Sequence, residues 1–432
     1  MKSGDPLMEQ ALYQTVRAAL EVGDLAVATN ALEKILTRYP EGFSGDSALL
    51  LTGEGFARAN DPARARNLFA RFEAKYPTNA LISEVRLATA RSYEREDKWD
   101  AAITNYRAWM ASYTNSPGRT NAEFNLAWAN FKAGNETNAF ELFTNFVARY
   151  PADTNAPAAQ WWIADHFFRA GDWTSAELNY QLVYKSTNWT SSRLTYQAQM
   201  MAGRSALARF SYSEATNYFS SLPGQTNCPI DLQLQASFAC GDALMSRTDT
   251  TNHEADLKEA VQWFDSIYTK YPTNDLAPLA WGEAGNCYLQ LATPTNRFFE
   301  LASNAYQQVL SPPQGKIAPL AARSQATIGL GMIAEKLAKQ RAGPEQEPLF
   351  QLALERYEEV CLGKIVRQGE KPELSFVKEA GLSAIRVATD NLSDWGLAFH
   401  ISAKITDSFP QLRPVFESKM VRAQEALSKQ KK

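Results

Sequence analysis

The chain has 432 residues, 44 of them Lys or Arg and 47 Asp or Glu, for a formal net charge of −3, and 45% are hydrophobic. That balance argues against a nucleic-acid-binding protein, no apolar run approaches the roughly 18 residues of a membrane span, and the apolar fraction suffices for a continuous core. Three histidines, His166, His253 and His400, stand far apart in the chain. With no Gly-rich phosphate loop, His-Glu-x-x-His helix, Cys-x-x-Cys pair or nucleophile elbow beside them, the expectation is a non-enzyme with no cofactor and no bound metal.

Helical periodicity begins near Leu12 and Val16 and then repeats. Ala28 is followed by Leu32, Ile35 and Pro40; Ala65 by Phe69, Phe72 and Pro77; Ala139 by Phe143, Phe146 and Pro151; Ala260 by Phe264, Ile267 and Pro272. Spacings of three and four put these side chains on one helical stripe, and each proline ends the helix at the residue before it. Twelve residues upstream of an alanine lies a second small residue, Gly53, Ala90, Ala127, Ala164 or Gly203, in another helical stretch. Between the two are turn residues such as Gly23-Asp24, Asn60-Asp61, Gly134-Asn135 and Gly171-Asp172. Small residues at both points let two antiparallel helices approach closely, so the unit is a helix hairpin.

Ala28, Ala65, Ala102, Ala139 and Ala176 are spaced by 37 residues each, and the series continues through Ala215, Ala260, Ala302, Ala353 and Ala398 at wider intervals. A fixed period of this size signals stacked units that use their neighbours as core. The predicted organisation is therefore a regular part, residues 1–225, continuous with an irregular part, residues 226–432. The second part carries insertions at Thr248 to Asp256, Thr293 to Asn296, Gln340 to Glu347 and Gly363 to Pro372, the last with Lys364, Arg367 and Lys371. Such insertions fall on inter-helix loops, where partners are often added. Leu412, Phe416 and Met420 predict a final capping helix; from Gln411 onward six basic residues face two acidic ones, which reads as a solvated end. Cys228, Cys240, Cys287 and Cys361 lack metal-ligand spacing and are read as buried thiols. The recurrent Thr-Asn pairs, such as Thr78-Asn79 and Thr273-Asn274, suit loops and helix caps.

The order small residue, turn, alanine, aromatic and proline resembles the tetratricopeptide repeat family, lengthened to 37 residues. The endings Arg38-Tyr39-Pro40, Lys75-Tyr76-Pro77, Arg149-Tyr150-Pro151 and Lys270-Tyr271-Pro272 are similar to those of its bacterial envelope subgroup. That subgroup includes outer-membrane assembly lipoproteins of the BamD type and the Tol-Pal cell-division coordinator. The resemblance implies an all-α, right-handed α-solenoid superhelix of ten hairpins with a C-terminal cap. It also implies a protein-binding scaffold whose partner is a peptide or helix of an envelope component, in the periplasm or at the outer membrane. The first cysteine is Cys228, so an N-terminal lipid-accepting cysteine and apolar leader are lacking; a removed signal peptide would account for this equally. Peripheral membrane association through a partner or a missing anchor remains open, as do a structural role in a larger secretion or assembly complex and a cytoplasmic regulator or co-chaperone.

In this family the groove is lined from the first helix of each hairpin, three residues before the small residue and one and four after it. Those positions are Phe124, Trp128 and Phe131 in the fourth repeat and Trp161, Asp165 and Phe168 in the fifth. They are flanked by Arg91 in the preceding repeat and Arg204 in the following one. The aromatics form either an apolar binding floor or part of the inter-hairpin core, and both readings stay open at this point.

Overall fold

A computed structural model describes residues 5–430 except 190, 191, 248–251, 296 and 313–316. The described residues are helical, with turns and short 3-10 segments between helices, and contain no strand. The first compact unit ends at Ala198 and the second begins at Gln199.

Five hairpins form the first unit: α1 (Pro6–Glu21) with α2 (Leu25–Arg38), α3 (Gly45–Arg58) with α4 (Pro62–Lys75), α5 (Ile82–Glu94) with α6 (Trp99–Ser112), α7 (Arg119–Lys132) with α8 (Glu136–Arg149), and α9 (Ala156–Arg169) with α10 (Trp173–Lys185). The division between units falls inside α11 (Thr195–Ala208), which pairs with α12 (Tyr212–Ser220). Then follow α13 (Ile230–Met245) with α14 (His253–Lys270), α15 (Leu276–Leu291) with α16 (Phe298–Leu310), α17 (Leu320–Ala338) with α18 (Gln346–Cys361), α19 (Leu374–Arg386) with α20 (Trp395–Ser408), and the closing helix α21 (Arg413–Gln430). Within each unit every hairpin packs on the next, the α-solenoid arrangement expected from the period.

All ten series alanines have 0% exposure. Four residues beyond them on the second helix stand Phe69, Tyr106, Phe143, Tyr180, Phe219, Phe264, Tyr306 and Tyr357, among the largest fully buried side chains. Phe69, Phe219, Phe264, Tyr306 and Tyr357 lie against a glycine of the first helix. A Cβ built at Gly241 would sit 2.5 Å from Phe264 Cζ, one at Gly285 2.6 Å from Tyr306 Cε1 and one at Gly331 2.7 Å from Tyr357 Cε1. Any larger residue there must push the ring aside.

The hairpin turn is equally repetitive. Asp24, Asp61, Lys98, Asn135, Asp172 and Ser211 each donate a backbone N–H five residues back, to Ala19, Phe56, Tyr93, Asn130, Phe167 and Ala206, at 2.8–3.0 Å. The residue before each donor has a positive φ: Gly23 (81°), Asn60 (61°), Asp97 (55°), Gly134 (82°), Gly171 (77°) and Phe210 (63°). This is the Schellman closure of a helix C-terminus. Asp24, Asp61 and Asp172 then cap the second helix by accepting from the N–H groups of Val27, Arg64 and Ser175.

The insertions differ in detail from expectation. Residues 248–251 and 296 lie outside the described residues, but His253 to Asp256 already belong to α14, so the helix starts inside the segment read as a loop. The segment Gly363 to Pro372 is tied down: buried Arg323 of α17 donates to Ile365 O at 2.9 Å and to both carboxylate oxygens of Glu370 at 2.5 Å. Lys364 in turn pairs with Glu358 at 2.9 Å. All four cysteines are buried free thiols, and desolvation pushes the Cys240, Cys287 and Cys361 thiols up to about 12, which makes them unreactive.

Phe210 is the one bulky side chain in the left-handed turn position, and its ring is 75% exposed. Replacing it with glycine removes the backbone strain and loses little packing. Phe210→Gly is expected to raise unfolding stability by about 1 kcal/mol in urea titration.

Candidate protein-binding grooves

In the first unit the register that places groove residues is fixed by the hairpin geometry just described. Phe124 is half-buried against Phe143 and Phe146, with ring centroids 5.7 and 5.6 Å away. Phe131 meets Trp162 edge-on at 5.2 Å, and Arg169 lies over the Phe131 ring at 5.4 Å. Trp161 packs on Tyr180 at 5.1 Å, and Phe168 on Trp173 at 4.9 Å. Trp128 stands apart: it is 38% exposed, touches Phe131 at 5.6 Å and carries Lys132 Nζ over its ring at 5.2 Å. Asp165 is paired with Arg169 at 2.9 Å, and Arg169 also reaches Glu136, which accepts a contact from His166 Nδ1 at 2.9 Å. The aromatic run is thus divided between core contacts and one open indole.

Arg91 is exposed and lines a cavity of about 190 Å³ with Glu54, Arg58, Phe69 and Arg95. Burial lifts the Glu54 carboxyl above its usual range against the pull of Arg58 and Arg91. Arg204, in the second unit, lines a larger cavity of about 650 Å³ together with Met200, Phe238 and Asp242.

The tyrosines among the buried second-helix rings add a polar element. Tyr106 OH accepts from Asn125 Nδ2 at 3.2 Å, Tyr306 OH donates to Asn286 Oδ1 at 2.7 Å, and Tyr357 OH donates to Glu335 Oε2 at 3.2 Å. Asn286 and Glu335 occupy the groove register one residue after Gly285 and four after Gly331. The Tyr306 and Tyr357 hydroxyls therefore reach from the second helix through to first-helix groove positions.

Charge at these positions is handled in two ways. Burial opposes ionisation of Glu335, but hydrogen bonds from Arg386 and Lys339 prevail and hold it at about 2. Glu94 is left under-compensated: burial lifts it to about 7 despite Tyr106, Arg91 and Arg95, and its Oε1 is buried without a hydrogen-bond partner. Counting back from Ala260 across the first insertion leads to Gly241 and to Asp242, one residue after it. The sequence reading stopped short of it because the interval there widens. Among the described residues no group of three or more His, Cys, Asp or Glu side chains could hold a metal ion, and no helix is long and apolar enough to cross a membrane.

Residues 13–80 and 87–154 match the sequence model described as tetratricopeptide repeat. No curated protein matches the chain. Among solved structures, the chain is similar to the C-terminal part of a tetratricopeptide repeat protein from Cytophaga hutchinsonii, with 15% identity, 63% of this chain and 97% of that one covered and a TM-score of 0.44. A tetratricopeptide repeat protein from Parabacteroides merdae gives 12% identity, 66% and 98% coverage and a TM-score of 0.37. A signal-transduction ATPase with a tetratricopeptide repeat sensor, from Pyrococcus horikoshii, gives 12% identity, 92% and 54% coverage and 0.45.

The Glu94 environment has a pH consequence. Its folded-state value lies above the unfolded one, so the folded chain holds a proton that the unfolded chain has lost between pH about 4.5 and about 7. Over that window the group lowers stability as pH rises, and the full cost remains above it. Glu94→Gln is expected to be more stable than the parent near pH 8 by on the order of 1 kcal/mol, with the difference vanishing near pH 4, in parallel denaturant titrations.

Proposed function

We propose that the chain is a non-enzymatic scaffold that binds a peptide or helix of a partner protein along the groove of its first unit, with Trp128 as the anchor. The single observation carrying this reading is the open indole of Trp128, held by Phe131 and Lys132 at a groove position while its aromatic neighbours are spent on internal contacts. An aromatic face beside a cation suits the amphipathic surface of an incoming helix or strand, and burying such a ring contributes on the order of 1.5–3 kcal/mol before ordering costs. The scaffold itself orders little on binding, because Phe124, Phe131, Trp161 and Phe168 are already fixed by packing. Arg91 flanks this floor in the first unit and Asp165 adds a carboxylate. The compartment we assign is the bacterial envelope, supported by the Tyr-Pro helix endings, and the partner is an envelope component.

A photoreactive aromatic placed at position 128 in the native host is expected to capture one dominant protein, with the yield falling severalfold when Lys132→Ala is added. Capture confined to the chain itself would remove the groove of the first unit from the account.

A further inference from the structure

The second unit holds a groove of different chemistry. A cavity of about 650 Å³ lies between α11, α13 and the start of α15. Its apolar lining includes Met200, Phe238 and Leu276; its charged lining is Asp231, Asp242 and Asp275 against the single cation Arg204, three carboxylates to one guanidinium. Phe238 is fixed by Phe264 behind it, with ring centroids 5.4 Å apart.

Asp242 sits at the groove register of α13, as Glu335 does on α17. Glu335 is met by Arg386, Lys339 and Tyr357. No hydrogen-bond or ion-pair partner among the described residues meets the Asp242 carboxylate. Arg204 donates to Met201 Sδ at 3.8 Å, and among the described residues it forms no ion pair with Asp242. From α15 the groups facing Asp242 are Glu283 and the Cys287 thiol; α12 contributes only Phe219 to the lining, and no charged residue of α14 lines the cavity. Every acid near Asp242 therefore opposes its charge, and no cation among the described residues pairs with it.

We propose that this groove binds a cationic, apolar segment of a partner protein, with a lysine or arginine of that segment paired to Asp242 and the adjoining apolar side chain seated on Phe238. The inference shares with the preceding section the premise that the chain holds a protein partner, but it concerns the other unit and stands on other residues. Charge complementarity decides the occupant: an anionic segment would add to three carboxylates, whereas a cation supplies the partner that Asp242 lacks. Burial, and then the charge of Glu283, push Asp242 up to about 7, so the groove carries its full charge only above neutrality. Binding of a cation ionises Asp242 and releases a proton, and affinity rises with pH.

The test uses the full chain and a fluorescein-labelled peptide of alternating lysine and leucine, read by anisotropy. Affinity is expected to increase about tenfold from pH about 6 to about 8, following the ionised fraction of Asp242. Asp242→Asn is expected to weaken binding about tenfold at the higher pH and to flatten the pH step, while its melting temperature stays equal or rises because a costly buried charge is gone. Phe238→Ala is expected to weaken binding, whereas Glu300→Gln, on the exposed side of α16, is expected to leave it unchanged. Wild-type affinity and pH response in Asp242→Asn, or equal binding of a glutamate–leucine peptide, would overturn the proposal. Trp128→Ala run in parallel separates the two grooves, since loss of one site's binding leaves the other's intact.

Discussion

The interaction on which everything else depends is the seating of one large ring from the second helix, in eight of the ten hairpins, on a residue with little or no side chain in the first. Phe264 on Gly241, Tyr306 on Gly285 and Tyr357 on Gly331 are examples in which even a methyl group would collide. The series alanine, one turn before the ring on the same second helix, is wholly buried in all ten hairpins. Helices held this closely have their faces fixed, and the groove register follows: the residues one and four positions past the small residue take set directions on the first helix, within hydrogen-bond reach of the ring hydroxyl at Asn286 and Glu335.

That constraint explains why so much of the fold could be read from residue order. Alanine and glycine are demanded by distance, and demands of that kind leave a period. The ends of helices were legible where Pro40, Pro77, Pro151 and Pro272 enforce them, and less so at Tyr113, which leaves α6 with the same backbone geometry (φ −124°, ψ 61°) as Tyr150 leaves α8 (φ −126°, ψ 55°) although Thr114 follows it. The turn at Phe210 was illegible because a phenylalanine carries no signal for a left-handed backbone; packing of the two helices overrides its preference. In the groove, composition could not separate Trp128 from Phe131, since both are large aromatics at groove spacings and only the position of Trp162 decides which ring is covered. Asp242 escaped because the insertion before α14 breaks the count that would have pointed to it.

The polar groups on the groove side show where folding and binding diverge. Glu335 is fully matched and behaves as part of the structure, with the buried Tyr357 on one neighbouring helix and the more exposed Arg386 on another as partners. Glu94, four residues past Ala90, and Asp242, one past Gly241, carry an electrostatic penalty that no packing requirement imposes, because a neutral isostere would fit. A rigid repeat stack tolerates them, since the cost falls on one interface and is not spread through the chain.

The most direct test of the central claim is a double-mutant cycle at one ring and its seat, Gly331→Ala and Tyr357→Leu, followed by denaturant unfolding of the single and double variants. Gly331→Ala alone is expected to destabilise by about 1–3 kcal/mol through overpacking, despite the helix preference for alanine. In the Tyr357→Leu background, where the ring no longer blocks the methyl, most of that loss should disappear, giving a coupling of about 1–2 kcal/mol. Additive effects, or a Gly331→Ala chain more stable than its parent, would mean that the ring is free to yield and that close seating does not set the register of the repeats.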